Sequence, residues 1–363
     1  MLKSLIDQLA AALSLSDEQV ALAVTELIDE QVPSELKADF LAALARKGET
    51  TAEIAAFARE LRAKSIQPPL DAATRQREIL DVCGTGGDRL NTFNISSTVA
   101  LIAAAAGITV AKHGNRAVTS QSGSADVLEE LGIAIDLTPE QAAQSLRERQ
   151  FAFFFAPKYH PAFKHIGPAR KLCAERGQRT IFNFLGPLLN PARPTAQLIG
   201  VPRPELCEPI ARVLQSLGIR RGMVVSGRVE SKALSPVPDD EASHSGAVAY
   251  LDELSTLGEN IIAEFYQDRG FVTSSLSPGH FPLQPATLAN LAGGDRQANA
   301  EIIRRLLRGE DRGPRRDAVL LNAAAALFVA GKARSLTEGW GLAVELIDSG
   351  RANAKLKELA SGS

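Results

Sequence analysis

Two glycine-rich polar segments have residue types that suit an anionic ligand. GTGGD, at 84–88, directly follows the apolar run ILDVC, and KHGNRAVTSQSGSAD, at 112–126, follows ITVA. Glycine lets the backbone turn tightly and point N–H groups at an anion, and Lys112 and Arg116 add positive charge. Because ligands of open α/β sheets collect beyond the carboxyl ends of strands, the two segments together predict one polyphosphate site.

Neither segment has a common nucleotide-binding signature. GTGGD is followed by Arg89 where the dinucleotide fingerprint has its third glycine, and no Gly-Lys-Ser/Thr of a P-loop is present there. Taken singly, GTGGD also fits a tight turn without a ligand, and KHGNR fits a solvated loop before a helix capped by Ser124. Thr92, Asn94 and Ser96 alternate with apolar residues, which predicts that they face the ligand, although helix capping also explains Ser96.

Adjacent carboxylates predict a metal site. Asp252 and Glu253 lie together in LDELS, and proteins usually hold Mg2+ by one or two carboxylates together with substrate phosphates. Solvated loop charges are the alternative for this pair. DDE, at 239–241, is a competing carboxylate set in surroundings typical of a solvated linker.

The composition is that of an ordinary globular protein. Hydrophobic residues make up 45% and charged residues 23% of 363, which disfavours disorder and coiled coil, and the length favours two domains. Forty basic against 42 acidic residues give no overall attraction to nucleic acid or to a membrane surface. Three cysteines without CxxC spacing favour a cytoplasmic location, and neither a signal peptide nor a membrane segment is predicted.

The spacing of apolar residues predicts the elements that hold these segments. Four amphipathic helices are expected before IQPPLD at 66–71, where proline ends the last of them. From Glu78 onward, β-branched or aromatic runs alternate with helical stretches, which predicts parallel β-α-β units; a polar loop is expected after FAFFFA. The fold class is therefore α/β, with a mostly parallel central sheet. We expect a small helical domain over 1–68, joined by about 165–190, and a large α/β domain over 72–363 with a loop or insertion at 228–249.

Six segments in one order carry a resemblance to a known family. GTGGD, TFNISS, KHGNR, GSAD, RTIFNFLGPLLNP and LDELS resemble the anthranilate phosphoribosyltransferases of tryptophan biosynthesis, over almost the whole chain. The resemblance implies a fold of the nucleoside phosphorylase and phosphoribosyltransferase type, a homodimer formed through the helical domain, and a requirement for Mg2+. It also implies transfer of the phosphoribosyl group of phosphoribosyl pyrophosphate (PRPP) to the amine of anthranilate, with release of pyrophosphate.

The resemblance further implies a role for each matching residue. Those implied to hold PRPP are Gly84, Gly87, Asp88, Thr92, Asn94, Ser96, Lys112, Asn115, Ser120 and Ser124. Those implied to hold Mg2+ are Ser96, Asp252 and Glu253, and those implied to contact anthranilate are Gly84, His113, Asn115 and Arg170. The Arg170 guanidinium suits a carboxylate, with a surface ion pair as the alternative. Lys112 is expected to give electrostatic support, and no covalent nucleophile is expected.

Three features depart from the family pattern. Arg89 stands where glycine is usual, KLCAERGQ after Arg170 is longer than usual, and 228–249 is inserted before the acidic pair. Two alternatives share the scaffold: a pyrimidine nucleoside phosphorylase, whose phosphate loop differs, and a non-catalytic nucleic-acid-binding relative, which needs a basic stripe. We expect small-molecule substrates, and no nucleic-acid or membrane partner.

Overall fold

The chain is helical at its start and α/β beyond. The computed structural model describes residues 1–117, 121–230, 233, 248–267 and 270–361. Ser16 and Thr50 begin the second and fourth helices with capping boxes. In each box the cap hydroxyl accepts a hydrogen bond from the backbone N–H three residues on, and the side chain of that residue accepts one from the cap's own N–H. The first four helices are α1 (Leu2–Ala10), α2 (Asp17–Ile28), α3 (Ser34–Lys47) and α4 (Thr51–Ala63).

Eight described strands form one mixed sheet, as the alternation of short apolar runs with helical stretches predicts. Its strand order is β3-β2-β1-β4-β5-β7-β8, and β6 also pairs with β5. The first five strands in this order are parallel, whereas β6 and β7 run antiparallel to β5 and β8 runs antiparallel to β7. The strands are β1 (Ile79–Gly84), β2 (Thr109–Gly114), β3 (Phe151–Phe155), β4 (Ala196–Gly200), β5 (Arg221–Val229), β6 (Ala249–Leu251), β7 (Asn260–Tyr266) and β8 (Gly270–Leu276).

Helices cover both faces of this sheet. Those from just before β1 to just before β5 are α5 (Ala72–Gln76), α6 (Ile95–Ala105), α7 (Ser124–Glu130), α8 (Pro139–Arg149), α9 (Ala156–Tyr159), α10 (Gly167–Glu175), α11 (Phe182–Leu185) and α12 (Cys207–Ser216). Those after β8 are α13 (Arg296–Leu307), α14 (Pro314–Val329), α15 (Leu336–Asp348) and α16 (Arg351–Ala360). The described residues also include five short 3-10 helices: Pro161–His165, Gly186–Leu189, Pro204–Leu206, Pro278–His280 and Leu288–Leu291. In the described part of the chain, no helix is long and apolar enough to cross a membrane.

Two large apolar clusters hold these layers together. One packs α6 and the C-terminal helices against one face of the sheet; the other packs the first four helices and α12 against the opposite face. α10 and α11 contribute Ala169, Cys173 and Phe182 to the second cluster. The fold class predicted from the sequence is confirmed, whereas the domain limits 1–68 and 72–363 stay predictions.

The strand order reverses direction at β1. The chain moves from β1 to β2 and β3 on one side, and then returns to place β4 on the other side of β1. Such a switch point opens a crevice outside the carboxyl ends of the two strands, which is where ligands bind in open α/β sheets. GTGGD follows β1 and therefore lies at this crevice.

Two expectations about loops need correction. The polar loop expected after FAFFFA is wrong, because 156–175 consists mainly of short helices that bury Tyr159, Ile166 and Cys173. The ends of 228–249 belong to β5 and β6, which pair at Val229 and Ala249. Within the expected insertion, 231, 232 and 234–247, including DDE, lie outside the described residues.

Candidate active site

The segment that carries Asp252 and Glu253 crosses the carboxyl ends of β1 and β4. Gly84 ends β1 and Gly200 ends β4. A Cβ atom on Gly84 would lie 2.1 Å from Asp252 Oδ2, and one on Gly200 would lie 1.6 Å from the backbone oxygen of Asp252. Because no real Cβ atom makes contacts this short, both positions need glycine. The absence of side chains at these two strand ends thus lets the acidic pair lie at the switch point.

Three neighbouring carboxyl groups create a strongly acidic patch here. The Gly86 N–H donates to Asp252 Oδ2 at 2.6 Å, and the Ser96 N–H donates to Glu253 Oε1 at 3.2 Å. Burial, and then the charge of Asp88, raise the pKa of Asp252 to about 7. Burial, and then the charge of Asp252, raise the pKa of Glu253 to about 8, and burial also raises the pKa of Asp88. A divalent cation would relieve the repulsion within this patch.

The pair suits Mg2+ by its chemistry. Asp252 and Glu253 offer hard oxygen ligands, and Ser96 lies next to Glu253 through its backbone N–H. Within the described ranges, no three His, Cys, Asp or Glu side chains are arranged to hold a metal ion by themselves. The residues present fit an ion that also takes ligands from a bound phosphate.

Lys112 is a buried cation beside these acids. Its side chain is 1% exposed, and its Nζ donates to the Val82 carbonyl at 2.7 Å and to Ser96 Oγ at 3.4 Å. Burial lowers the pKa of Lys112, against the opposing effect of nearby acidic groups, which include Glu253. Among the described residues, no carboxylate lies within ion-pair distance of Nζ, so its charge is available to an anion.

The NTFN segment combines a bridge with a helix start. Thr92 forms an isolated antiparallel bridge with Ala292, and α6 begins at Ile95, with Asn94 at the N-cap position. Capping by Ser96 is therefore wrong, because the helix starts before that residue. Ser96 instead places its backbone N–H on Glu253 and its hydroxyl near Lys112.

The second glycine-rich segment folds back on α7 through one carboxylate. Asp126 Oδ2 accepts hydrogen bonds from the N–H groups of Ala117 at 2.9 Å and Gly123 at 3.0 Å. Arg116 donates to Asp126 Oδ1 at 2.9 Å and pairs with Glu129. From the sequence, Arg116 is expected to neutralise phosphate. In the structure its charge is already paired with two carboxylates.

Asn115 and Ser124 lie together at the end of β2. The Ala125 N–H donates to the Asn115 carbonyl at 3.2 Å, and Ser124 Oγ does so at 3.4 Å. Ser124 is the first residue of α7 rather than its cap, because Gly123 occupies the N-cap position and its N–H bonds to Asp126. Ser120 lies outside the described residues.

A chain of ring contacts leads from Arg170 to His113. The Arg170 guanidinium carbon lies 5.3 Å from the centroid of the Phe182 ring, which contacts Phe163 at 5.8 Å. Phe163 contacts His160 at 5.0 Å, and His160 contacts His113 at 5.2 Å between centroids. Since His113 follows Lys112 in β2, this aromatic chain connects Arg170 with the strand that carries Lys112. Arg170 is exposed, and no described carboxylate pairs with it.

The turn after β1 contains Arg89 in a conformation typical of glycine. Arg89 has φ 60° and Asn91 has φ 52°, following Gly86 at 77° and Gly87 at 87°. A side chain in this left-handed region costs roughly 1 to 2 kcal/mol. Arg89 therefore keeps the backbone course that glycine would give, with its side chain exposed.

Sequence reasoning missed Gly200 and the aromatic residues His160, Phe163 and Phe182. Gly200 had a usable signal, since it ends the apolar run AQLIG as Gly84 ends ILDVCG. The three aromatic residues come from separate short helices and the turns between them, so their spacing gave no indication that they meet.

Models of one transferase family match both parts of the chain. Residues 3–65 match the helical bundle domain of the glycosyl transferase family, and residues 76–353 match its a/b domain. The fold and the crevice thus define a glycosyltransferase.

Full-length relatives narrow this class. The chain is 45% identical to anthranilate phosphoribosyltransferase of Roseiflexus castenholzii, over 98% of this chain and 96% of that one. It has a TM-score of 0.83 and 39% identity with the crystal structure of the Thermus thermophilus enzyme, covering 98% of both chains. With the structure of the Saccharomyces cerevisiae enzyme in complex with PRPP and Mg, it has a TM-score of 0.82 and 26% identity, covering 100% of this chain and 98% of that one. The chain belongs to the anthranilate phosphoribosyltransferase family, as the six segments predicted, and these relatives do not favour the two alternatives.

Proposed function

We propose that this protein transfers the phosphoribosyl group of PRPP to the amine of anthranilate and releases pyrophosphate, a step of tryptophan biosynthesis. The observation that carries the proposal is the crevice at the switch point, where the acidic pair, the glycine-rich turn after β1 and the buried Lys112 lie together. A polyphosphate with its cation matches both charges of this crevice. Its relatives over the full chain length bear the name of this activity.

At the donor end, the chain stabilises the leaving group. The bond between the ribose carbon and the pyrophosphate oxygen breaks, and the bonding electrons leave with pyrophosphate. Lys112 and the amide of Gly87 would hold this growing negative charge. Asp252 and Glu253, with Ser96, would hold Mg2+, which when bound neutralises charge on the pyrophosphate. The remaining PRPP contacts are proposed for Gly84, Asp88, Thr92, Asn94, Asn115, Ser120 and Ser124.

At the acceptor end, the chain positions an aromatic amine. The amine lone pair forms the new bond to the ribose carbon, and the nitrogen then loses a proton to solvent. Such an amine is already neutral, so orientation matters more than a strong base. Arg170 would bind the carboxylate, and the aromatic chain that ends at His113 would contact the ring. Gly84 and Asn115 would lie between the two substrates.

The test compares matched variants of α10. Anthranilate fluorescence is followed with the purified protein, PRPP and Mg2+, and each component is omitted in turn. Arg170→Ala should raise the KM for anthranilate by about 10-fold or more, because a charged hydrogen bond is lost. Lys171→Ala removes the neighbouring cation, which is 80% exposed, and should change nothing. No loss of fluorescence with the unaltered protein would contradict the proposal.

We propose in addition a homodimer through the first helices, in the cytoplasm. Met1, Leu13 and Leu22 are 62%, 59% and 43% exposed, which supports an apolar contact between two copies of this part of the chain. The three cysteines are unpaired, which supports a reducing compartment. Sedimentation should give twice the monomer mass at micromolar concentration, and Leu22→Asp should shift it to the monomer. A monomeric unaltered protein would contradict the dimer.

A further inference from the structure

A buried asparagine outside every predicted site segment contacts Asn94. Asn299 lies in the first turns of α13 and is 2% exposed. Its Nδ2 donates to Asn94 Oδ1 at 2.9 Å, and its Oδ1 accepts from the Gly294 N–H at 2.8 Å. Asn94 Nδ2 in turn donates to the Ser122 carbonyl at 3.2 Å. Four residues therefore form one continuous chain of hydrogen bonds.

Backbone groups fix the direction of this chain from both ends. The Gly294 N–H can only donate, so the oxygen of the Asn299 amide must face it and the nitrogen must face Asn94. The Ser122 carbonyl can only accept, so the nitrogen of the Asn94 amide must face Ser122. Both ends give the same orientation of the Asn94 amide, which leaves its second N–H as a donor.

The segment that carries Asn299 also holds the backbone beside Asn94. The Phe93 N–H donates to the Leu291 carbonyl at 3.1 Å, and the Gly293 N–H donates to the Asn91 carbonyl at 2.9 Å. A Cβ atom on Gly293 would lie 2.8 Å from Asn299 Oδ1 and 2.9 Å from the Phe93 backbone. Residues 291–299 thus hold both the backbone just before Asn94 and the side chain of Asn94. The packing at Gly293 leaves no room for a larger residue.

We propose that Asn299 is a positioning residue for the PRPP site, which orients Asn94 so that the amide presents its N–H to an anionic oxygen of the ligand. The inference rests on the proposed function, because it requires Asn94 to contact PRPP. Asn299 acts only through Asn94.

The two informative variants differ in what they do to the Asn94 amide. Asn299→Ala removes the bond but leaves the amide free to keep its orientation. Asn299→Asp keeps the size and the acceptor for Gly294, yet its second oxygen faces Asn94 Oδ1 and favours the flipped amide. Gln297→Ala is the matched control, since this side chain lies exposed on the same helix.

Calorimetric binding of PRPP with Mg2+ tests the inference without the transfer reaction. Asn299→Asp should weaken binding about 5- to 30-fold, Asn299→Ala less, and Gln297→Ala not at all. In an Asn94→Ala background, Asn299→Asp should have no further effect on binding. The KM for anthranilate should not change, because Asn94 is proposed to contact PRPP and not the acceptor. The number of PRPP sites per chain measured by calorimetry should also stay constant, whereas a loss of folded protein would lower it.

The outcomes separate the inference from the proposed function. Equal PRPP binding by the unaltered protein and by the folded Asn299 variants would overturn the inference alone, as would a full effect of Asn299→Asp in the Asn94→Ala background. PRPP binding that Asn299→Asp weakens, with no transfer to anthranilate, would support the inference and contradict the proposed acceptor. No PRPP binding by the unaltered protein would overturn both.

Discussion

Acid should destabilise this protein through two buried histidines. His113 and His160 are 8% and 3% exposed, and their Nε2 atoms are 3.2 Å apart. Burial, and then the neighbouring His160, lower the pKa of His113 to about 3, and burial lowers the pKa of His160 to about 4. A proton on both rings would place two N–H donors opposite each other. The folded protein therefore keeps both rings neutral well below their ordinary pKa of 6.5.

The size of the effect follows from proton uptake by the unfolded chain. In the unfolded chain both histidines have pKa values near 6.5, so they bind protons as the pH falls through that value, whereas the folded rings do not. Stability is thus present above the unfolded value and is lost as the pH falls toward the folded values. At about pH 5 the pH lies roughly 1.5 units below the pKa of the unfolded chain. The free energy of unfolding is then lower by about 2 kcal/mol for each histidine and by about 4 kcal/mol for both.

Urea unfolding at pH 7 and pH 5 measures this contribution. Between pH 7 and pH 5, the free energy of unfolding should fall by about 4 kcal/mol less in the double variant His113→Gln with His160→Gln than in the unaltered protein. His280→Gln serves as the control, because the exposed His280 faces water in both states. If the double variant and the unaltered protein lose equal stability between the two pH values, the two rings are not kept neutral by burial and the reasoning is refuted.

Three further variants test the crevice. Lys112→Met should lower kcat/KM for PRPP by about 10- to 150-fold, since a buried charge that contacts an anion is worth about 1.5 to 3 kcal/mol; steady-state kinetics within twofold of normal would contradict this. Gly200→Ala should lower the free energy of unfolding by about 2 kcal/mol or more, because its Cβ would overlap the Asp252 backbone. The control Gly341→Ala, in open space on α15, should raise it by about 1 kcal/mol. Thermal unfolding that ranks the two variants in the opposite order would contradict the overlap. Asp126→Asn should raise the KM for PRPP about 5-fold or more, because the amide nitrogen cannot accept the hydrogen bonds that this carboxylate accepts from backbone N–H groups and from Arg116. An unchanged KM would contradict the role of this carboxylate in holding the segment.

The local sequence was enough to predict most elements. Ser16 and Thr50 begin helices as their capping patterns indicate, because a capping box depends on residues only three positions apart. The glycines of GTGGD end a strand, since the apolar run before them is bounded by a turn signal. The family resemblance then supplied site residues that no spacing rule contains.

The crevice itself depends on contacts between distant parts of the chain. Asp252 reaches Gly200 and Gly84 only because the strand order places β1 beside β4, which no local pattern reports. Arg116 looked available to phosphate, because its partner Glu129 lies one loop and most of a helix further on. Asn299 had no motif to mark it, since its role comes from one buried contact with Asn94.

The most direct test measures both products of the exchange in the same samples. With PRPP, Mg2+ and anthranilate, the protein should release one pyrophosphate for each anthranilate consumed, and neither change should occur without PRPP. Pyrophosphate release that proceeds unchanged without anthranilate would mean that water is the acceptor, and would contradict transfer to the amine.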